Sequence, residues 1–313
     1  MTSFNQKRET AVTTNNADFK SRIWLGKHGR YRAVPIPEDE GGSGAAMALN
    51  DRSEIMGRTF GTEGHPGHWF IWRRGQFEFL TPPPGIPYLD LRDMNDRNQI
   101  VGFAGDGPDF QRPVMWEEGH FSNLPVLTEE LNAAYNLQDV TQINDAGIAV
   151  GTSSVVRADM LVPVPVMWLN GAITQLPLPE NADNGGGHAL AINNRNHIVG
   201  FARADSGLQP LLWREGQMIS LPLPEGGSEA SASVLNDRDQ IVGVAGPPLS
   251  NTPPLYWERG AVYDLLSLVS DRDPLKQQVT FNYPQQILNN GVILMQGYGP
   301  SGSPGYFLLI PQD

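Results

Sequence analysis

A nine-residue motif recurs along this chain at nearly constant intervals, and it constrains the fold more than any other feature. It reads "LNDRSEIMG" from Leu49, "MNDRNQIVG" from Met94, "INDAGIAVG" from Ile143, "INNRNHIVG" from Ile192 and "LNDRDQIVG" from Leu235. A degraded sixth copy, "LNNGVILMQG", starts at Leu288. The motif asparagines are Asn50, Asn95, Asn144, Asn193, Asn236 and Asn289, spaced by 45, 49, 49, 43 and 53 residues. A second motif, W-x-x-G, runs out of phase with the first, at Trp72, Trp116, Trp168, Trp213 and Trp257. Trp24 opens a stretched version, "WLGKHG", so that six of the seven tryptophans read as one slot.

Each period divides into four short strands, A to D. Strand A ends at the Asn, and the Asn-Asp turn suits a backbone that needs positive φ or a capping side chain. Strand B is the "QIVG" run. Strand C is apolar and ends in Trp, and the following x-x-Gly fits a hairpin turn. Strand D carries Leu-Pro ("NLP", "QLPLP", "SLPLP"), tolerable on a strand with a free edge. Four strands repeating at this period are the signature of an all-β, six-bladed β-propeller. The C-terminal "PGYFLLIPQD" is C-like and the N-terminal "RYRAVPIP" is D-like, so the two ends are expected to complete one blade together. Residues 1–20 are expected to be a loose tail, and residues 21–313 a single propeller domain.

The pattern I/L-N-D-x-x-x-I-V-G, followed by an apolar strand ending in W-x-x-G, resembles the HAF-repeat family. The resemblance covers roughly residues 21 to 310, and five of the six copies are good ones. It implies a repeat fold, and members of that family are described as extracellular repeat proteins without an agreed activity. The N-terminus departs from that description, since "MTSFNQKRETAVTTNNADFK" has no apolar core of signal-peptide length. No later stretch reaches transmembrane length, and a soluble cytoplasmic protein is expected.

Composition narrows the partners. The formal net charge of −12 disfavours nucleic acid and anionic membrane surfaces. With no cysteine, disulfides, thiolate catalysis and Cys-type zinc sites are excluded. No cofactor is expected: "GYGPSG" matches G-x-G-x-x-G only in a Pro-containing loop, without the helix that would hold a pyrophosphate. No metal site is expected either, as "HPGH" lacks the spacing of a zinc helix.

Repetition marks scaffold, so function is sought where the blades differ. In a propeller the A–B and C–D turns share one face, and here they are short and uniform. The B–C and D–A loops share the other face, and they are long and dissimilar. Five residues before each Asn, at the mouth of strand A, stand Ala45, Asp90, Asp139, His188, Ser231 and Pro284. Three residues before it stand Met47, Arg92, Thr141, Leu190, Ser233 and Gln286. Asp139 and His188 are the candidate catalytic pair, because a His beside carboxylates can move protons. Asp90, Arg92, Thr141, Ser231, Ser233 and Gln286 are candidate substrate contacts, joined from the loops by His65, His68, Trp69, Tyr135 and Tyr283. His28, His120 and His197 fall at the opposite turns and are expected to be exposed. Insertions at Thr128–Tyr135 and Ser270–Tyr283 are candidate lids.

A lectin would repeat its binding residues blade by blade, whereas these differ. The expectation is one asymmetric small-molecule pocket. The matching activity is a cofactor-free cyclase, isomerase or lyase acting on a flexible apolar precursor, which mainly needs to be held and polarised. A protein-interaction scaffold is the alternative.

Overall fold

The computed structural model describes residues 2–15, 20–27, 29–62, 65–107, 110–128, 138–182, 185–246 and 252–312. The protein is all-β, with seven successive antiparallel blades rather than the six expected. It separates into two compact units, Met1–Leu124 and Pro125–Asp313.

The first unit holds three blades. Blade 1 is β1 (Thr2–Phe4), β2 (Glu9–Asn15), β3 (Ser21–Lys27) and β4 (Arg30–Val34). Blade 2 is β5 (Gly44–Leu49), β6 (Ile55–Thr59), β9 (Trp69–Arg73) and β10 (Gln76–Leu80). The short pair β7 (Gly61–Thr62) and β8 (His65–Pro66) lies in its B–C loop. Blade 3 is β11 (Tyr88–Met94), β12 (Ile100–Gly107), β13 (Phe110–Glu117) and β14 (His120–Asn123).

The second unit holds four. Blade 4 is β15 (Asp139–Ile143), β16 (Ala149–Arg157), β17 (Met160–Leu169) and β18 (Ala172–Gln175). Blade 5 is β19 (Gly187–Ile192), β20 (Ile198–Ala204), β21 (Gly207–Arg214) and β22 (Gln217–Ser220). Blade 6 is β23 (Ala230–Leu235), β24 (Ile241–Ala245), β25 (Pro254–Glu258) and β26 (Ala261–Asp264). Blade 7 has three strands, β27 (Thr280–Ile287), β28 (Ile293–Tyr298) and β29 (Pro304–Leu309).

The extra blade comes from the segment expected to be a tail. Asn5 stands 45 residues before Asn50 and makes the same bonds as the motif asparagines. Its turn has Arg8 at φ 59°, the left-handed conformation that Ser53, Asn98, Asn196 and Asp239 adopt at the same place in theirs. The N-terminal strands therefore build their own blade and do not complete the last one.

What joins the blades is the motif Asn. Its Oδ1 accepts the backbone N–H groups two and four residues on, as Asn193 does from Arg195 and His197. Its Nδ2 then donates to the backbone of the next blade. Asn5 reaches Asn50 O, Asn50 reaches Asn95 O, Asn144 reaches Asn193 O and Asn193 reaches Asn236 O, over 2.9–3.3 Å. The next residue adds a second rung: Asp51 N–H donates to Asp96, and Asn194 N–H to Asp237. In blade 7 the register is one residue off the expectation. Asn236 donates to Leu288 O and Asp237 N–H donates to Asn289 Oδ1, so Leu288 holds the Asn slot and Asn289 the Asp slot.

The tryptophans form the second tie. Within the second unit, Trp168, Trp213 and Trp257 donate Nε1–H to the carbonyls of Pro125, Pro177 and Pro222, one D strand earlier. This explains the Leu-Pro motif, whose prolines stand just beyond the D strands rather than within them. Between these ties the blade interfaces within the second unit close over apolar side chains, with Val150, Leu211 and Trp213 between blades 4 and 5 and Val199, Leu255 and Trp257 between blades 5 and 6. Trp24 is not part of the series. It pairs with Val12, and Gly26 takes the Trp position, where the Tyr31 ring fills the space a side chain would need. His197 is buried rather than exposed, with Nδ1 2.6 Å from Asp239 of the next blade.

Replacing Asn193 by Ala leaves two N–H groups and one carbonyl without their partner in a buried turn. The expected loss is about 2–4 kcal/mol, read as a lower urea midpoint with an unchanged slope. An unaltered midpoint would show that the asparagine ladder does not hold the blades.

Candidate functional site

Strand A of every blade from 2 to 7 carries a β-bulge near its mouth, at or beside the position three before the motif slot. A bulge turns the side chains beyond it relative to those below. In blades 2 to 6 the last glycine of the strand-B motif faces the carbonyl five before the slot: Gly151 meets Asp139 O and Gly200 meets His188 O. A Cβ there would collide with that carbonyl, so the glycine lets the mouth residue sit close over strand B.

The ladder then pairs the fifth residue before the slot with the eighth after it. These pairs are Ala45 with Arg58, Asp90 with Phe103, Asp139 with Thr152, His188 with Phe201 and Ser231 with Val244. In blade 7, Tyr283 pairs with Gln296 and holds the mouth position expected for Pro284. Gln286 lies below the mouth, opposite Leu294.

In the second unit this geometry gathers Asp139, Thr141 and His188 around adjoining strands β15, β16 and β19. His188 Nδ1 lies 3.0 Å from Thr152 Oγ1, and Thr152 is the strand partner of Asp139. The His188 ring rests on Phe201, with centroids 5.0 Å apart. Thr141 Oγ1 lies 3.1 Å from Val150 O and 3.2 Å from Ala189 O, which ties the two mouths together. Burial, helped by the Arg203 charge, lowers the His188 pKa to about 4, so the imidazole is neutral at pH 7.

The next mouths are hydroxyl-bearing. Ser231 and Ser233 on β23 are buried, and Tyr283 follows on β27. Ser154 on β16 and Ser231 have buried hydroxyls with no hydrogen-bond partner among the described residues. Ser233 has none in good geometry, although it lies near enough to the Tyr283 hydroxyl to oppose the rise in phenol pKa that burial causes. Unpaired buried hydroxyls are uncommon in native proteins, and each calls for a reason.

Among the remaining candidates, Asp90, Arg92, His65, His68 and Trp69 lie in the first unit. Asp90 pairs with Arg92 at 3.0 Å, and the Arg92 guanidinium stands over Phe103. His68 is exposed and its Nδ1 lies 2.9 Å from Glu40. Trp69 is buried, with Nε1–H bonded to Leu89 O. His65 lies in β8. Tyr135 and most of the Thr128–Tyr135 insertion lie outside the described residues. The second insertion forms turns that lead into β27, preceded by a 3-10 turn at Leu265–Leu268. A cavity of about 690 Å³ lies in blade 1, lined by Glu9, Leu25, Lys27, Arg30, Tyr31 and Arg32, and it includes none of the candidate residues. Among the described residues no group of three His, Asp or Glu could hold a metal ion. No helix among them is long and apolar enough to cross a membrane.

Counting back from the Asn missed Thr152, Ser154, Phe201 and Arg203, which stand at the far end of strand B. A signal for them was present. The eighth residue after the slot varies between blades just as the fifth before it does.

No protein-family model matches the chain, and neither does any curated protein. Solved structures do match. A Pyrococcus horikoshii acylaminoacyl peptidase aligns at TM-score 0.62 and 8% identity, over 99% of this chain and 50% of that one. A Mycobacterium tuberculosis puromycin-hydrolyzing peptidase aligns at TM-score 0.57 and 11% identity, over 96% and 49%. The chain thus spans about half the length of these peptidases. At such identities the likeness concerns the fold, and it makes this chain a β-propeller protein.

The unfolded chain carries an ordinary imidazole near 6.5 and the folded chain one near 4, so the unfolded state takes up the extra proton between those values. Stability from this residue is complete above pH 6.5 and is lost as pH falls towards 4, by up to ~3 kcal/mol. A His188→Gln variant should therefore lose less stability than the wild type over that window. Parallel stability–pH curves would show that His188 does not titrate as its burial requires.

Proposed function

We propose that this propeller binds one small molecule at the mouths of β15, β19, β23 and β27 and acts on it by acid–base chemistry. Asp139 and His188 move or direct protons, while Ser154, Ser231, Ser233 and Tyr283 orient the ligand. The observation that carries this reading is a neutral, half-buried imidazole beside a carboxylate position, with buried hydroxyls on neighbouring strands that have no partner among the described residues. A ligand oxygen or nitrogen satisfies such hydroxyls, and a neutral imidazole can exchange a proton without first losing one. The reaction class that fits is a cyclisation, isomerisation or elimination, in which positioning and proton transfer suffice. The asymmetry supports a single ligand, since Asp139, His188, Ser231 and Tyr283 are four different answers at one repeat position.

The test starts from a cellular small-molecule extract passed over the purified chain. The wild type should retain a compound that a Ser231→Leu variant retains at least tenfold less. Asp139→Asn and His188→Ala should keep it bound while slowing its conversion by about 10²–10⁴-fold. Equal retention by the wild type and Ser231→Leu would sink the site. Retention of a protein instead, lost on charge reversal of the loops, would favour an interaction scaffold.

A further inference from the structure

Thr152 is almost wholly buried, and its hydroxyl has one hydrogen-bond partner among the described residues, His188 Nδ1 at 3.0 Å. Two proton arrangements fit that distance. In one the hydroxyl donates to a bare Nδ1, and the ring proton sits on Nε2. In the other Nδ1–H donates to the hydroxyl oxygen, and the hydroxyl proton finds no acceptor among the described residues. A buried donor left unmade costs about 1–3 kcal/mol, so the first arrangement prevails by roughly five- to 150-fold. The ring nitrogen left to meet a ligand is then Nε2, which bonds to no described residue and carries a proton.

We propose that Thr152 is a positioning residue that holds His188 as its Nε2–H tautomer, so that the site engages its ligand through an oxygen acceptor, a carbonyl or a carboxylate. This rests on the site described under Proposed function and assigns the roles within it. His188 donates a hydrogen bond that polarises a ligand oxygen. Asp139 is left as the group able to accept a proton. The Arg203 charge that bears on His188 favours an anionic acceptor, and the neutral ring accommodates an uncharged one. The blade repeat shows that the device is local. The position of Thr152 is Phe201 in blade 5 and Val244 in blade 6, and neither can donate to a neighbouring mouth.

The ring ¹⁵N shifts of His188, read by long-range proton–nitrogen correlation on the full chain at pH 7, report the tautomer directly. The wild type should show an unprotonated Nδ1 and a protonated Nε2. Thr152→Ser should match it, and Thr152→Val should move towards a mixture of tautomers. An Nδ1-protonated wild type overturns the inference, and so does a Thr152→Val spectrum identical to the wild type. If Thr152→Val does not fold, the wild-type spectrum alone decides. Sodium acetate and acetamide then serve as probes, with methylamine as a donor-only control. Acetate or acetamide should shift Nε2 at least threefold more in the wild type than in Thr152→Val, and the stronger of the two identifies a carboxylate or a neutral carbonyl. No response to either overturns the ligand class. The proposed site itself stands or falls separately, on retention by Ser231→Leu.

Discussion

A buried asparagine amide that serves two backbones at once is the interaction on which this structure depends. Its oxygen closes the turn of its own blade and its nitrogen closes onto the next. A buried amide with only half its bonds made would be costly, so the turn and the neighbouring blade must both be in register for either to be satisfied. That requirement explains why the turn is so uniform and why the residue after the Asn is acidic or an amide, since it must accept the N–H from the blade before it. The Trp–proline bonds apply the same logic farther out along the blades.

With one end of each blade held this way, the other end is free to differ. In blades 2 to 6 the bulge and the strand-B glycine bring the mouth of strand A close over strand B whatever side chain the mouth carries, and blade 7 keeps the bulge with Met295 in the glycine's place. Blade 4 uses that position for an aspartate, blade 5 for a histidine, blade 6 for a serine and blade 7 for a tyrosine. The scaffold thus sets backbone geometry by repetition and leaves the side chain at that position free to differ from blade to blade.

Much of this was legible in the chain. The period, the four-strand blade, the structural standing of Asn, Asp and Trp, and the mouth positions of Asp139, His188 and Ser231 all follow from counting. The misreadings share a cause. Blade 1 escapes a reading by letters because Phe4-Asn5-Gln6 keeps only the Asn of its motif and Gly26 has replaced the Trp, so similar geometry stands without similar letters. Trp24 imitates the missing Trp because its spacing to Gly29 nearly fits, yet its Nε1 bonds to Thr14 of its own blade. In blade 7 a Leu fills the Asn slot, and the following Asn drew the alignment one residue downstream. His197 looked like a turn residue on the surface, but the turn is where blades meet, and Asp239 of the next blade covers it.

The sequence by itself determined the β-propeller fold and the residues able to differ, because repetition is a one-dimensional property and needs no knowledge of contacts. The tertiary structure alone decided the blade number and the partners of each mouth residue. Blade identity depends on hydrogen-bond geometry that survives the loss of the letters, as Asn5 and Leu288 show. The meeting of His188 with Thr152 depends on two blades facing each other, 36 residues apart in the chain, and no local pattern encodes that distance.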